Sequence, residues 1–596
     1  MNENKSSLKL NLSFIKEIFK ADPFRIPYDI ITKTLQSIMG YIVFLFAVRM
    51  VLNSIDSGLE YKYVFVWLLI FGVSEIIYIL IRSHYYEIYA QMSQKKIYAY
   101  FRKKIYAKSK ELDYSCFENA DFYDKYTRVL TNIEEKITEE IDVISALISN
   151  IITICTVVSI LLTFDPIFIL LSVIPFVVKL MIGKKESQER YNLFSNTSNV
   201  QRKVEYIKRI FFLKDYAKEI RLSSITKILF EKFKNHIALL NTHIQKSGKK
   251  IAIFVFISGI AVDVLCYISA VILTGYRYLI SKTMLLGDAF LVIDSIRRIS
   301  GNISELATVN QQFKVLALFI RDVESFFSYK SQLYEEKEPK TIPSQIGKLE
   351  LKHVYFRYPF SEKDVLHDIN IEVKPYQKIA IVGPNGCGKS TIVKLLMRLY
   401  DVNEGAIVYD NNNIKQYNIS DYRNQFATVF QDCHLVSATI SENILLGRKD
   451  VDSNLVDEAL EKSGLYEKVL TYPNGKDSML TKEFDNDGLV LSGGQVQKIA
   501  LSRVYVNPKR KIVILDEPSS ALDPIAEADM YKTMLDVCKN NSVIFISHRM
   551  SSATLADVIF YMEEGRIVES GSHNELMLLG GKYRQMFDIQ SKNYKI

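Results

Sequence analysis

Cysteine, histidine and tryptophan are scarce in this chain, whose 596 residues include six, eight and one of them. The cysteines are scattered without Cys-x-x-Cys spacing, so the sequence predicts neither a disulfide framework nor a zinc site. Basic residues outnumber acidic ones by 75 to 67, yet no stripe of lysine and arginine alternates with stacking aromatic residues. The excess positive charge is therefore not typical of a nucleic-acid-binding protein.

Long apolar runs are present, and they are confined to roughly the first half of the chain. Most have close to the roughly 20 residues that a membrane-spanning helix requires. They cover 35–55, 63–81, 141–162, 167–182, 251–273 and 285–306. The sequence thus predicts six membrane helices, the first of them retained because no small-residue cleavage site follows it. Buried helices of a soluble core are the alternative for any single run, especially the short fourth and the charged sixth.

The distribution of positive charge predicts an orientation. Segments 1–25, 83–138 and 184–250 hold 5, 10 and 16 lysines plus arginines, whereas the three alternate short loops hold three in total. Positively charged loops remain on the cytoplasmic side. We therefore expect a multi-pass protein of the cell membrane whose N-terminus and two long loops are cytoplasmic.

The two long loops are predicted to be extensions of the membrane helices. Both exceed the roughly 15 residues beyond which loops without structure become uncommon. Each contains a break suited to a short crosswise helix, at 112–123 and at 213–222. In the first break, Asp113 and Ser115 are helix-capping residue types. Ordinary solvated turns are the alternative for both segments.

The second half of the chain has the pattern of an α/β domain. Residues 327–344 are polar and contain two prolines, which is linker composition. Strand-like segments follow at 348–356, 369–373, 378–382 and 511–515, with helix-like segments between them. We expect a membrane domain over 1–325, a linker over 326–346 and a nucleotide-binding domain over 347–596.

A glycine-rich loop between a predicted strand and a predicted helix over 391–399 has the sequence of a phosphate-binding loop. It consists of Gly383, Pro384, Asn385, Gly386, Cys387, Gly388, Lys389 and Ser390, followed by Thr391. Glycines allow backbone N–H groups to surround phosphates, and the helix start adds a favourable field. Lys389 is predicted to reach the outer phosphates and Ser390 to bind Mg²⁺. The thiol of Cys387 is expected to have a depressed pKa and to react readily unless ATP covers it.

A later hydrophobic strand ends in two adjacent carboxylates, Asp516 and Glu517. Two acids at a strand end are more often structural when they are seen alone. Downstream of a phosphate loop, however, Asp516 is predicted to face Mg²⁺ through water. Glu517 is predicted to be the general base that activates the attacking water.

These motifs, with the segment Leu491, Ser492, Gly493, Gly494 and Gln495, resemble the nucleotide-binding domain of ATP-binding cassette (ABC) proteins. The resemblance extends from about residue 347 to the C-terminus, and 491–495 is identical to the family signature. The serine hydroxyl, the glycine N–H groups and the N-terminus of a helix can all bind the γ-phosphate. In that family the signature of one domain covers the ATP held by the other. The resemblance implies ATP and Mg²⁺ as cofactors and a second nucleotide-binding domain as partner.

The resemblance assigns four further residues. Tyr358 matches the aromatic residue that stacks on adenine, and Gln431 matches the glutamine that senses Mg²⁺ and water. Asp523 matches the loop that crosses the dimer, and His548 matches the γ-phosphate switch. It follows that Gln431 and His548 would join Glu517 as catalytic residues.

The first half is similar to the membrane domain of exporters in which six helices precede one nucleotide-binding domain. The implied fold is an all-α polytopic membrane domain with six transmembrane helices, followed by an α/β P-loop NTPase domain of the ABC type. In such exporters the crosswise helices contact the nucleotide-binding domains. The implied function is ATP-driven export of an amphipathic, lipid-like, drug or peptide substrate by alternating access in a dimer. A second copy of the chain is the favoured partner, and a related half-transporter is the alternative.

Three other functions are alternatives to export. An importer built on the exporter fold is not distinguished from an exporter by the sequence. A non-transport ABC ATPase is disfavoured by the six apolar runs. A peptide exporter with its own leader protease is disfavoured because no cysteine or histidine precedes the first run.

Two features do not follow from the resemblance. Exporters carry a Gly-Glu-Arg/Gly-type segment before the signature, whereas this chain has 483–488, where Glu483, Asp485 or Asp487 is a candidate replacement for the missing carboxylate. Several acids also lie in or beside the apolar runs, namely Glu75, Asp142, Asp263, Asp288 and Asp294. They either favour a cationic cargo or form structural pairs with Lys33, Arg49, Lys179 or Arg297.

Overall fold

The structure is a computed structural model that describes residues 7–57, 61–260, 264–265, 267–430, 433–448, 451–507, 510–517, 524–547 and 549–592. The chain forms two compact units. One consists of Met1–Glu111 and Asp124–Tyr329, and the other of Leu112–Tyr123 and Lys330–Ile596. The second unit therefore includes a short segment that precedes most of the first unit's helices in sequence.

The described part of the first unit is helical. Its helices, with α6 of the second unit between them, are α1 (Ser7–Ala21), α2 (Arg25–Ser37), α3 (Phe44–Ser57), α4 (Tyr61–Ser83), α5 (Ala90–Lys110), α6 (Tyr114–Glu118), α7 (Ala120–Leu162), α8 (Pro166–Phe212), α9 (Ala217–Leu222), α10 (Ile225–Gly259), α11 (Tyr267–Leu279) and α12 (Leu286–Phe327). Two π-helical turns, Ile38–Val43 and His84–Tyr89, join α2 to α3 and α4 to α5.

Helices cover the described residues of all six predicted apolar runs, except that Leu285 is the N-cap residue before α12. Within the described ranges, three stretches are long and apolar enough to cross a membrane: Arg25–Ser57, Lys62–Lys110 and Ala120–Leu162. Apolar side chains point outward from these helices, as at Phe65 and Leu80, which are 56% and 65% exposed. A helix surface of this kind is stable in lipid rather than in water.

The two long loops are helical, as predicted, and each predicted break holds a short helix. α7, α8 and α10 have 43, 47 and 35 residues, more than the roughly 20 that span a bilayer. Short helices occupy both breaks, α6 in the first and a 3-10 turn followed by α9 in the second.

The predicted capping role of Asp113 is wrong. Asp113 occupies the N-cap position of α6, but its side chain makes no capping hydrogen bond. Its carboxylate instead accepts from the Ser331 hydroxyl at 2.5 Å and from the Gln332 N–H at 2.6 Å. The linker donors satisfy this buried carboxylate, so Asp113 attaches α6 to the start of the linker.

Structural pairing is the better interpretation of three of the acids near the apolar runs. Asp142 lies 3.0 Å from Lys33, Asp288 lies 2.5 Å from Arg49, and Asp294 lies 2.8 Å from Arg297. Each of these three carboxylates is thus paired with a cation of its own unit, as the structural alternative predicts. Asp263 and the Lys179 side chain lie outside the described residues.

The second unit contains two sheets. Its strands are β1 (Leu349–Phe356), β2 (Leu366–Val373), β3 (Lys378–Val382), β4 (Glu404–Tyr409), β5 (Asn412–Asn413), β6 (Phe426–Val429), β7 (Ile512–Asp516), β8 (Ser542–Ile546), β9 (Val558–Glu563) and β10 (Arg566–Gly571). Its further helices are α13 (Lys389–Leu396), α14 (Ile419–Arg423), α15 (Ile440–Leu445), α16 (Ser453–Lys462), α17 (Tyr466–Leu470), α18 (Gly493–Tyr505), α19 (Pro524–Val537), α20 (Met550–Ala553), α21 (His573–Leu579) and α22 (Lys582–Lys592).

The larger sheet has the order β10-β9-β3-β8-β7-β6. It is parallel from β9 to β6, and β10 is an antiparallel edge strand. β7 and β8 are buried along their whole length, as expected for central parallel strands covered on both faces. The smaller sheet is antiparallel in the order β2-β1-β4-β5. All four predicted strands are therefore present.

Arg398 attaches the linker to this unit and ends the helix of the phosphate loop early. It has a positive φ of 51°, and α13 stops at Leu396 rather than at the predicted residue 399. Its side chain is fully buried and donates to the carbonyls of Ile414 at 3.1 Å and Tyr417 at 3.2 Å. It also donates to the carbonyl of Tyr334 in the linker.

Arg398→Met is expected to destabilise the protein by about 3–5 kcal/mol, because it leaves buried carbonyls without a donor. In thermal denaturation of the purified full chain, this corresponds to a fall of roughly 10 °C in the unfolding temperature of the second unit. The control is Arg584→Met on α22, whose side chain is 51% exposed. Equal unfolding temperatures for the two variants would contradict this role.

Candidate functional site

The predicted phosphate loop lies between the end of β3 and the start of α13. Gly383, Gly386 and Gly388 all have positive φ values, of 149°, 79° and 104°. A Cβ atom at Gly383 would lie only 2.1 Å from the Met562 carbonyl oxygen of β9. The loop therefore requires glycine here for both its backbone conformation and its close approach to the neighbouring strand.

Lys389 is buried within this loop. Its Nζ donates to the carbonyls of Gly383 at 2.9 Å and Pro384 at 3.0 Å, so the ammonium is held on the concave side of the loop. Burial lowers the pKa of Lys389, while the nearby Cys387, Glu517 and Asp516 raise it. A bound phosphate would supply the negative charge that this ammonium favours.

The two carboxylates at the end of β7 are close enough to Lys389 to oppose the lowering of its pKa by burial. Asp516 ends β7 and is buried, and Glu517 follows it with a φ of 49°. Burial raises the pKa of Glu517, while the Lys389 ammonium lowers it. The structure thus brings together the phosphate loop and the predicted general base, which are more than a hundred residues apart in sequence.

The residues predicted to bind Mg²⁺ fit a hard cation as far as they are described. Ser390 presents an exposed hydroxyl at the start of α13, and Asp516 provides a carboxylate at the strand end. Oxygen ligands of this kind suit Mg²⁺, which would neutralise phosphate charge when bound. Gln431, the third predicted ligand, lies outside the described residues, as do Asp523 and His548.

Tyr358 lies next to the phosphate loop. Its hydroxyl is 3.0 Å from the Thr391 Oγ1 of α13. Its ring packs edge-on against Phe356 at 5.0 Å and Tyr400 at 5.4 Å between centroids. The ring is half-buried, so one part of it remains available for a ligand.

The 491–495 segment forms a helix start, as predicted. Ser492 is the N-cap of α18, and its Oγ accepts from the Gln495 N–H at 3.4 Å. The Gln495 side chain in turn accepts from the Ser492 N–H at 2.9 Å. Because the Ser492 Oγ acts as an acceptor in this capping box, its proton remains available for donation to a ligand. Gly493 and Gly494 provide the first N–H groups of the helix, and Leu491 packs partly against the core.

Residues 483–488 form the tip of a closed loop. Its base is fixed by hydrogen bonds from the Thr481 N–H to the Leu489 carbonyl at 2.9 Å and from the Leu489 N–H to the Met479 carbonyl at 2.8 Å. Phe484 at the tip is 84% exposed. The three acids of this loop, Glu483, Asp485 and Asp487, are also exposed.

The predicted reactivity of Cys387 is wrong. The thiol is buried and only 4% exposed, and burial raises its pKa although Lys389 lowers it. The effect of desolvation on the thiolate exceeds that of the neighbouring ammonium.

Cys387 is therefore expected to react slowly with maleimides at neutral pH, with or without ATP. The matched control is Asn385→Cys in a Cys387→Ser background, which places a thiol at an exposed position of the same loop. That variant is expected to react rapidly and to be protected by ATP. Mass spectrometry of the labelled peptide measures both rates, and fast labelling at Cys387 would contradict the buried geometry.

The resemblance implied that the segment around α6 contacts the nucleotide-binding domain, but sequence reasoning did not identify the residues that make this contact. Glu118 at the end of α6 lies 2.8 Å from Lys394 Nζ and accepts from the Tyr400 hydroxyl. These residues are 276 and 282 positions apart in sequence, and no motif connects them. Only the fold reveals this cluster.

Comparisons with known proteins give three kinds of match. Residues 366–520 match a family model described as "ABC transporter". The subtilin transport ATP-binding protein SpaT of Bacillus subtilis is 32% identical over 496 residues, which cover 82% of this chain and 79% of SpaT. The multidrug export ATP-binding/permease protein YgaD of Bacillus subtilis (strain 168) is 28% identical over 524 residues, covering 86% of this chain and 87% of YgaD.

A solved structure shares the fold across both units. It is a bacterial Atm1-family ABC exporter with ATP bound, with a TM-score of 0.76 over 96% of this chain and 99% of that chain. The sequence identity is 21%, so this likeness concerns the fold alone.

Proposed function

This chain belongs to the ABC transporter family as an exporter-type half-transporter, and we propose that two copies of it export an amphipathic substrate out of the cytoplasm. It is an ATP hydrolase coupled to transport, with a helical domain of apolar helices followed by an ABC nucleotide-binding domain. In the proposed assembly, each nucleotide-binding domain contributes its phosphate loop to one ATP and its 491–495 segment to the other.

The observation that carries the proposal is the complementary chemistry of these two segments. The phosphate loop holds the Lys389 ammonium and is followed by α13, whereas Ser492 and the start of α18 present a hydroxyl and free N–H groups. Both groups of donors suit phosphate oxygens. One chain has one of each, so two chains complete two sites.

Each residue has a defined role in this proposal. Lys389 contacts the outer phosphates, Ser390 and Asp516 with Gln431 hold Mg²⁺, and Glu517 accepts a proton from the attacking water. Tyr358 stacks on adenine, and His548 and Asp523 act at the γ-phosphate and the dimer contact. Binding of ATP closes the pair, the crosswise helices transmit the closure, and hydrolysis resets the membrane domain.

We also propose that the N-terminus, the long loops and the nucleotide-binding domain are cytoplasmic, since the lysines and arginines concentrate in those loops. The cargo classes that we favour are amphipathic peptides and drugs. Two relatives bear the names of subtilin transport and multidrug export. The neutralised acids of the first unit do not single out a cationic cargo.

Inside-out vesicles test the direction and the cargo together. Vesicles that contain the protein are given ATP and a panel of subtilin, cationic drugs, neutral drugs and fluorescent lipids. We expect ATP-dependent accumulation of at least one amphipathic compound inside the vesicles. Vesicles with the Glu517→Gln variant are the control for leakage and binding. Accumulation only in right-side-out vesicles supplied with internal ATP would identify an importer instead.

A further inference from the structure

A cluster of charged and aromatic side chains connects α6 to the helix of the phosphate loop. Glu118, the last residue of α6, accepts hydrogen bonds from Lys394 Nζ at 2.8 Å and from the Tyr400 hydroxyl. Lys394 lies on α13, which begins at Lys389. All of these residues belong to the same compact unit, so the cluster is part of the nucleotide-binding fold.

Lys394 lies against two tyrosine rings. Its Nζ is 5.2 Å from the ring centroid of Tyr114 in α6 and 5.2 Å from that of Tyr358. Both distances are within the range of cation–π interactions. One ammonium is thus shared between the crosswise helix and the ring that is proposed to stack on adenine.

Tyr400 fixes the other side of this arrangement. Its ring is edge-on to Tyr114 at 6.0 Å and to Tyr358 at 5.4 Å between centroids. Its hydroxyl donates to Glu118, so the same carboxylate holds both Lys394 and Tyr400. Tyr358 is therefore bounded by two side chains whose positions depend on Glu118.

Lys394 and Tyr400 both keep their protons in this cluster. Burial disfavours the charged form of Lys394, but the hydrogen bond to Glu118 and the neighbouring tyrosines raise its pKa overall. Burial and the contact with Glu118 raise the pKa of Tyr400, so the phenol stays a neutral donor. Lys394 and Glu118 are 26% and 35% exposed, so solvent screens the pair only in part.

We propose that Glu118 and Lys394 are positioning residues for the Tyr358 ring, through which helix α6 responds to the base of the bound nucleotide. This inference rests on the proposed function, in which Tyr358 stacks on adenine. Loss of the Glu118 charge releases Lys394 from its place between the rings, and Lys394→Met removes the ammonium itself. Tyr358 then keeps only its contacts with Thr391, Phe356 and Tyr400 and is less firmly positioned. The phosphate loop is untouched, because its Lys389 is held by loop carbonyls.

The test compares a ligand that contains a nucleobase with one that consists of phosphates alone. Glu118→Gln and Lys394→Met are introduced separately and together into the full chain in lipid. The dissociation constants of ATP and of inorganic tripolyphosphate are then measured. We expect ATP binding to weaken about fivefold and tripolyphosphate binding to stay unchanged. The double variant is expected to be no weaker than the single ones, because the two residues act as a unit.

The control pair is Glu458→Gln with Lys462→Met on α16, a more exposed ion pair whose side chains are 55% and 45% exposed. It is expected to change neither affinity. Equal weakening of both ligands by Glu118→Gln would indicate a general structural role and would overturn the inference, as would unchanged ATP binding.

Tyr358→Ala separates this inference from the proposed function. If it weakens ATP binding while Glu118→Gln and Lys394→Met do not, only the positioning role is overturned. If Tyr358→Ala leaves ATP binding unchanged, the adenine-stacking role in the proposed function is itself wrong.

Discussion

Replacement of Glu517 by glutamine is expected to preserve ATP binding and to lower steady ATP turnover by a factor on the order of 10²–10⁴. Glu517 follows the buried strand β7, and its charge and that of Lys389 influence each other. Glutamine retains the size of the side chain but cannot accept a proton from water. Nucleotide affinity and phosphate release by the lipid-embedded protein measure the two effects separately.

The matched control is Glu458→Gln, which removes an exposed carboxylate from α16 in the same unit. It is expected to leave turnover unchanged. Near-normal ATPase activity of Glu517→Gln would show that another group is the base.

The same assignment predicts a pH dependence. A general base must be ionised, and burial raises the pKa of Glu517 above the ordinary value. Wild-type turnover should therefore fall as the pH decreases through this raised pKa, at a higher pH than for an ordinary glutamate near 4.3. The residual activity of Glu517→Gln should lack this dependence.

Gly383→Ala is expected to have the second large effect, by distorting the loop that holds Lys389. Its φ of 149° is unfavourable for any residue with a side chain. The added methyl would also lie 2.1 Å from the backbone oxygen of Met562. Because β9 is a buried strand that cannot easily move, we expect a loss of about 3 kcal/mol in stability. ATP binding should be lost as well.

Gly386→Ala provides the comparison within the same loop. Its φ is also positive, at 79°, but no atom beyond its two chain neighbours lies within 4 Å of the added methyl. Only the backbone cost of about 1–2 kcal/mol is expected. Thermal denaturation and ATP binding of the two variants measure the difference. Similar behaviour of both would mean that the contact between the loop and β9 is not important.

The local structure of the candidate nucleotide site was predictable from sequence because its motifs are short contiguous segments. The glycines of 383–388, the strand before them and the helix that begins at Lys389 form one local unit. The helix start at Gly493 was expected from the 491–495 signature, and the capping box of Ser492 and Gln495 explains why the helix begins there. The six apolar runs were evident from composition alone.

The errors concern properties that depend on distant contacts. The pKa of Cys387 depends on how deeply the folded unit buries the thiol, which its neighbours in sequence do not reveal. Asp113 looked like a helix cap, but donors from Ser331 and Gln332 occupy its carboxylate. The contact of Glu118 with Lys394 required the fold to bring together two residues that are 276 positions apart in sequence. Long-range pairing of this kind leaves no periodic pattern in the sequence.

The central proposal, that each ATP is hydrolysed between two chains, is tested most directly by mixing two inactive variants. Lys389→Ala disables the phosphate loop, and Ser492→Arg disables the 491–495 segment. Each variant alone is expected to be inactive. In a mixed dimer, the intact loop of one chain faces the intact segment of the other, so one site is restored. After co-expression we expect about a quarter of the wild-type ATPase rate, since half of the dimers are mixed and each has one functional site. No recovery in the mixture, or full activity of a lipid-embedded monomer, would contradict the account.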